Sequence, residues 1–180
     1  MNESVPQVPD DEYPGPLKAD ELRNKLEIKE IPTFGKLAGI DFGTVRVGIA
    51  VCDPSQKWST PLETYNRRNT RLDAKWFLEL AKTEAIVGWI LGLPVHCDGN
   101  ESQKSKEVRE FALWLHETTK LPYAFYDERF TTAEARNLLN QSTLSGKKRK
   151  QQLDQIAAHL ILSHFLGNRE STSSNMGIED

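Results

Sequence analysis

Residues 38–53, which read Ala-Gly-Ile-Asp-Phe-Gly-Thr-Val-Arg-Val-Gly-Ile-Ala-Val-Cys-Asp, constrain the fold more than any other stretch of this chain. Two apolar runs, over residues 37–42 and 47–52, flank Gly43-Thr44-Val45-Arg46, a pattern that predicts a tight hairpin of two central strands. Asp41 interrupts the first run. An ionised carboxylate among Leu, Ala, Ile and Phe is costly unless a partner neutralises it. A metal ion would do so, and so would the backbone N–H groups of the turn, which Asp often caps. The choice depends on what the rest of the chain supplies.

After the hairpin the pattern alternates. Residues 58–65 read as a third strand in which Pro61 implies an edge position or a bulge. A helix is predicted over residues 70–82, with Leu72, Trp76 and Leu80 as its apolar stripe. Residues 85–91 form a continuous apolar run of strand length, the signature of a buried parallel strand, and a loop over residues 95–101 follows. A second helix carries Val108, Phe111, Ala112 and Leu115. A short strand over residues 123–126 leads into Asp127-Glu128-Arg129, and a third helix begins near Thr131. The last helix starts after Gly146 with Leu153, Ile156, Ala157, Leu160 and Ile161 on one face. A three-strand antiparallel meander extended by parallel strands is an α/β fold with a mixed sheet flanked by helices.

Two more carboxylates stand out on this scaffold. Glu128 falls just beyond the C-terminal end of a predicted strand, where α/β folds gather ligands. Thr131 and Glu134 form a capping box, which explains them structurally, but Glu128 has no comparable role. Asp154 has Ala157, Ala158 and Ile161 at i+3, i+4 and i+7, so it shares a small-residue apolar face that lets its helix approach the sheet closely. The alternative for Asp154 is a carboxylate favoured by the positive end of the helix dipole. Asp41, Glu128 and Asp154 together offer the hard oxygen ligands that Mg²⁺ or Mn²⁺ prefer. No Ser or Cys lies in a nucleophile motif. The four histidines lack zinc-ligand spacing and read as surface or packing residues.

Charge points to the partner. Residues 1–34 hold eight acidic and four basic residues and five of the nine prolines, so they read as a weakly ordered acidic extension. The rest of the chain carries a net charge near +1, and a polyanion surface must therefore be local. Lys147-Lys148-Arg149-Lys150 precedes Asp154 at a helix start, where cations oppose the dipole and invite phosphate contacts. Arg67, Arg68 and Arg71 cluster ahead of the first helix. Nucleic acid is the polyanion that would also meet a carboxylate metal site. Residues 35–167 are expected to form the single domain and residues 168–180 a flexible tail. The N-terminus lacks an apolar leader, no apolar run approaches membrane-spanning length, and Cys52 and Cys97 read as buried reduced thiols. A soluble cytoplasmic protein with no membrane partner is expected.

Four stretches in order, Gly39-Ile-Asp-Phe-Gly-Thr-Val-Arg-Val-Gly-Ile-Ala-Val, Gly92-Leu-Pro-Val-His-Cys-Asp-Gly, Asp127-Glu-Arg-Phe-Thr-Thr-Ala-Glu-Ala, and Lys147-Lys-Arg-Lys followed by Asp154-Gln-Ile-Ala-Ala, resemble the YqgF (RuvX) family. The resemblance spans about residues 36–166. It implies an RNase H-like fold and a nuclease of the pre-16S ribosomal RNA kind, related to Holliday junction resolvases, with ribosomal RNA precursors or ribosomal particles as partners. It also implies that Asp41, Glu128 and Asp154 are catalytic metal ligands in two-metal hydrolysis, while Thr44, Arg46, Arg129, Lys147, Lys148, Arg149 and Lys150 face the substrate. Three features depart from the family pattern: Val45 stands where many members have Lys, Cys52 replaces a common Ser, and the Pro-rich extension has no counterpart. A DNA-junction resolvase and a non-catalytic RNA-binding or ribosome-assembly module are the alternatives. An Asp-x-Gly-Thr hairpin also occurs in the sugar kinase, actin and Hsp70 group, but this chain lacks the second domain and second Gly-rich phosphate loop that such proteins need.

Overall fold

The computed structural model describes residues 30–94, 102–127 and 146–175. Strands β1 (Lys36–Phe42), β2 (Arg46–Cys52) and β3 (Ser59–Asn66) form the expected antiparallel meander. Strands β4 (Ile86–Leu93) and β5 (Tyr123–Asp127) continue the sheet in parallel with β1. The order across the sheet is β3-β2-β1-β4-β5, which puts β1 at its centre. Pro61 lies on the edge strand β3, beside a register shift at which Ile49 faces Glu63 and Ala50 faces Pro61. Edge position and bulge are therefore both present, the two settings in which a sheet tolerates proline.

Alternation along the strands sorts their side chains onto two faces. Ala38, Ile40, Phe42, Val47, Ile49 and Val51 pack under helices α1 (Thr70–Thr83) and α2 (Gln103–Thr119). Leu37, Ala50, Cys52 and Ile90 pack under helix α3 (Gly146–Asn175). In α2 the predicted stripe of Val108, Phe111, Ala112 and Leu115 is wholly buried. In α1 the prediction holds in part: Leu80 is buried and Trp76 is partly buried against the core, but Leu72 is exposed, and Asp73 and Phe77 are buried beside them. The reason is a charged residue in a core position. Asp73 accepts hydrogen bonds from Tyr65 Oη at 2.8 Å, the Arg68 N–H at 2.9 Å and Arg67 Nε at 3.3 Å, so its carboxylate is satisfied inside the core.

In α3, Leu160 and Ile161 are buried as expected, but the rest of the buried stripe is Ala158, Leu162 and Leu166. The helix continues to Asn175, into the stretch expected to be a tail. Arg169 there donates to the carbonyls of Ile31 and Pro32 and to Gln56 Oε1, and Ile31 packs under α3. Residues 31 and 32 thus join the domain ahead of the expected boundary at residue 35. Cys52 is a buried free thiol, and burial raises its pKa and keeps it protonated. Among the described residues no helix is long and apolar enough to cross a membrane. Cys97, the loop at residues 95–101 and the helix expected near Thr131 lie outside the described residues.

Candidate active site

The site is built by a helix that touches bare backbone. Gly39 and Gly48 interrupt β1 and β2 on the α3 face, where any side chain would hold the helix off the sheet. A Cβ on Gly39 would lie 2.6 Å from the Ala158 carbonyl oxygen and 2.7 Å from Leu162 Cβ. A Cβ on Gly48 would overlap the Asp154 carbonyl and lie 3.0 Å from Asp154 Cα. Glycine in a strand permits such an approach at a cost in sheet stability. Thr64 Oγ1 donates to the Gln151 carbonyl at 2.7 Å, which fixes α3 one turn before Asp154. Farther along, Ser59 Oγ bonds His159 Nδ1 at 3.1 Å and Ser163 Oγ at 2.8 Å.

This contact brings two of the predicted carboxylates together. Asp41 lies directly across the antiparallel ladder from Gly48, and opposed residues point to the same face with Cβ positions about 5 Å apart. Asp154, seated on Gly48, therefore has its Cα within roughly 8 Å of the Asp41 Cβ. Asp41 is the penultimate residue of β1 and Asp154 is on the ninth position of α3, so strand and helix meet at the C-terminal edge of the parallel strands. Both are partly exposed, a middle ground between a structural buried pair and a solvated surface.

Arg46, predicted to face substrate, opens β2 and aims at the same point. Its Nε donates to Asp154 Oδ2 at 2.7 Å, a short charge-assisted bond, with side-chain exposures of 27% and 19%. The sequence reading assigned these two residues separate roles and missed the pair. Both Gly48 and Arg46 were in plain view, and a glycine in an otherwise apolar strand is the signal that a backbone comes close. Thr44 is exposed at the hairpin tip beside exposed Val45. Arg149 and Lys150 are exposed in the first turns of α3. Lys147 and Lys148 belong to the same helix start, and Glu128 and Arg129 lie outside the described residues, one and two positions past the end of β5.

The other arginine cluster divides. Arg67 is used by the core: its Nε meets Asp73, and its guanidinium lies 5.3 Å from the Phe42 ring centre and 5.4 Å from that of Phe111. Its backbone N–H donates to the Val45 carbonyl at 2.9 Å, tying β3 to the hairpin tip. Arg68 and Arg71 remain on the surface at that corner. On the opposite face from Asp41, a depression of about 200 Å³ is lined by Leu62, Trp76 and Leu80 together with Glu63, Glu79 and Glu84. Its acidic rim does not suit a polyanion.

Two carboxylates on one face, one fixed by a strand and one by a helix backbone, form an oxygen donor set of the kind hard divalent cations take. Among the described residues no group of three or more His, Cys, Asp or Glu comes together.

A sequence model of the RuvX family, described as Holliday junction resolvase, matches residues 35–168. A relative in Rhodopirellula baltica named "Putative pre-16S rRNA nuclease" is 50% identical over 135 residues, covering 75% of this chain and 78% of its own length. A relative of the same name in Rhodobacter capsulatus is 39% identical over 136 residues, covering 76% of this chain and 86% of its own. The Thermus thermophilus RuvC structure in complex with a Holliday junction substrate superposes with a TM-score of 0.50 at 15% identity, over 76% of this chain and 96% of that one. That likeness is one of fold.

Proposed function

The chain belongs to the RuvX family, and from that premise we propose that it is a metal-dependent nuclease that hydrolyses phosphodiester bonds in precursor 16S ribosomal RNA. The observation that carries this reading is the seating of Asp154 on Gly48, directly beside Asp41. The names of the relatives favour RNA over a DNA junction as substrate.

Asp41 and Asp154, completed by Glu128 just past β5, would hold Mg²⁺ or Mn²⁺. When bound, such an ion supplies a Lewis acid for the phosphoryl oxygens and a water of lowered pKa, and two ions together serve the attacking and leaving oxygens. The protein's part is placement. Gly39 and Gly48 let α3 lie against the sheet, and the Thr64 hydroxyl holds its first turns, so Asp154 has little backbone freedom. Preorganised ligands spare the reaction the cost of gathering them. Thr44 and Arg46 on the hairpin, Arg129 after β5, and Lys147, Lys148, Arg149 and Lys150 at the start of α3 receive the nucleic-acid backbone around the carboxylates. Contacts of that kind position the strand without reading its sequence. A cytoplasmic protein working on ribosomal particles is the setting this reading implies.

Cleavage of an end-labelled 16S precursor RNA and of a four-way DNA junction, each with Mg²⁺, Mn²⁺ or EDTA, tests the proposal. Metal-dependent cutting of the RNA that disappears in Asp41→Asn is the expected result. Cutting of the DNA junction alone would make the chain a resolvase. RNA binding that survives Asp41→Asn, with no cutting under any metal, would make it a binding module.

A further inference from the structure

We propose that Arg46 is an internal stand-in for the metal: its guanidinium neutralises Asp154 until nucleic acid arrives, then leaves for a backbone phosphate and frees the carboxylate for the ion. The inference rests on the metal-site reading above and adds a regulation to it.

The Asp154 backbone is pressed onto Gly48, the Gln151 carbonyl is held by Thr64, and Ala158, Ile161 and Leu162 are buried against the sheet, so α3 is the fixed side of the pair. Arg46 starts β2 next to an exposed hairpin tip, and its side chain is long and about a quarter exposed, at 27%. The adjustable part of the pair is therefore the guanidinium. Its Nε lies 2.7 Å from Asp154 Oδ2, on the carboxylate that the metal reading requires.

A monocation bonded to that carboxylate opposes a dication at the same place in two ways. It takes an oxygen lone pair, and it adds a like charge at short range in a partly buried setting, where screening is weak. The same guanidinium is a good phosphate ligand, because its fork of donors matches phosphate oxygens. A strand of RNA laid along the hairpin thus competes with Asp154 for Arg46. Each ligand removes an obstacle to the other: phosphate draws Arg46 off the carboxylate, and the metal, once seated, releases Arg46 toward phosphate. Two sites that share one residue in this manner must bind their ligands with positive coupling, reciprocal in size.

The consequence separates this role from a purely structural one. A structural Arg46 would position Asp154, and its loss would weaken metal binding. A stand-in Arg46 makes the opposite prediction.

The test is Mn²⁺ binding to the full chain without nucleic acid, followed by calorimetry and by the electron paramagnetic resonance of free Mn²⁺. Parent, Arg46→Ala, Arg46→Gln and Asp41→Asn are compared, with thermal unfolding run on each. Arg46→Ala and Arg46→Gln should bind Mn²⁺ about tenfold more tightly than the parent, a gain of ~1.4 kcal/mol. Asp41→Asn should lose binding. In parallel, anisotropy of a labelled, cleavage-resistant 2′-O-methyl RNA should show Mn²⁺ tightening RNA binding by a larger factor in the parent than in Arg46→Gln, the difference being the coupling carried by Arg46. Should Arg46→Ala fail to fold, Arg46→Gln carries the comparison, since it keeps the stem as far as the arginine Nε position and places an uncharged donor there. Equal or weaker Mn²⁺ binding in a folded Arg46 variant, with the parent binding normally, would overturn the stand-in role and leave the metal site standing. No Mn²⁺ binding by any folded variant would overturn the metal site and this inference with it.

Discussion

Each face of the sheet carries an aspartate on a helix, and the two are treated in opposite ways. Asp73, on the α1 side, has 2% side-chain exposure and accepts from Tyr65 Oη, Arg67 Nε and the Arg68 N–H. Asp154, on the α3 side, has 19% side-chain exposure and meets one partly exposed arginine, Arg46, at the end of the sheet. The packing around them differs as well. Around Asp73 stand large rings: Tyr65 stacks on Trp76 at 4.0 Å, and Phe77 makes edge contacts with Trp89, Phe111 and Trp114. Beneath Asp154 stands glycine. A carboxylate that serves the fold is walled in by donors and aromatic bulk, whereas one available to a ligand is delivered to an edge by backbone contact.

That contrast can be broken at either end. Phe77 is fully buried at the centre of the aromatic face, and Phe77→Ala should cost about 3–5 kcal/mol in chemical denaturation. Cleavage per folded molecule should persist, because the α3 face is untouched. Asp73→Asn replaces two acceptor oxygens with one acceptor and one donor group. It should cost about 1.5–3 kcal/mol by the same measurement, again sparing activity. Gly48→Ala reverses the pattern. It forces α3 off the sheet, costs about 1–3 kcal/mol, and should lower cleavage far more than stability alone explains. If Gly48→Ala kept full activity, the close approach would have no functional purpose.

The smallest effect concerns pH. His159 is held neutral by burial, helped by nearby His164, so its pKa in the folded chain lies below the usual histidine value. The unfolded chain then binds the extra proton first. Its contribution to stability is present above about pH 6.5 and is lost as pH falls below that value through the folded pKa. Melting temperature should therefore drop between about pH 7 and pH 5, and His159→Gln should flatten part of that slope. An identical slope in the variant would assign the pH dependence to other groups.

Much of this architecture was legible in the residues. The hairpin followed from two apolar runs around Gly43–Arg46, the parallel strand β4 from an unbroken apolar run, and the edge position of β3 from Pro61. Asp41 and Asp154 were marked by their apolar surroundings, and the structure brings both to one spot. What periodicity hid was charge in a core position: Asp73 is buried beside the expected stripe of α1 because its three donors come from residues before the helix, which a helical period cannot register. The Arg46–Asp154 pair was hidden for a similar reason, since the two are 108 residues apart and only the seating of α3 on Gly48 joins them.

The most direct trial of the account is metal-dependent cleavage of 16S precursor RNA by Asp154→Asn, measured beside Asp73→Asn and normalised to folded protein. The account predicts that Asp154→Asn retains the parent's stability to within about 1 kcal/mol and loses cleavage, while Asp73→Asn loses stability and retains cleavage. Undiminished cleavage by folded Asp154→Asn would contradict the assignment of the α3 face as the catalytic one.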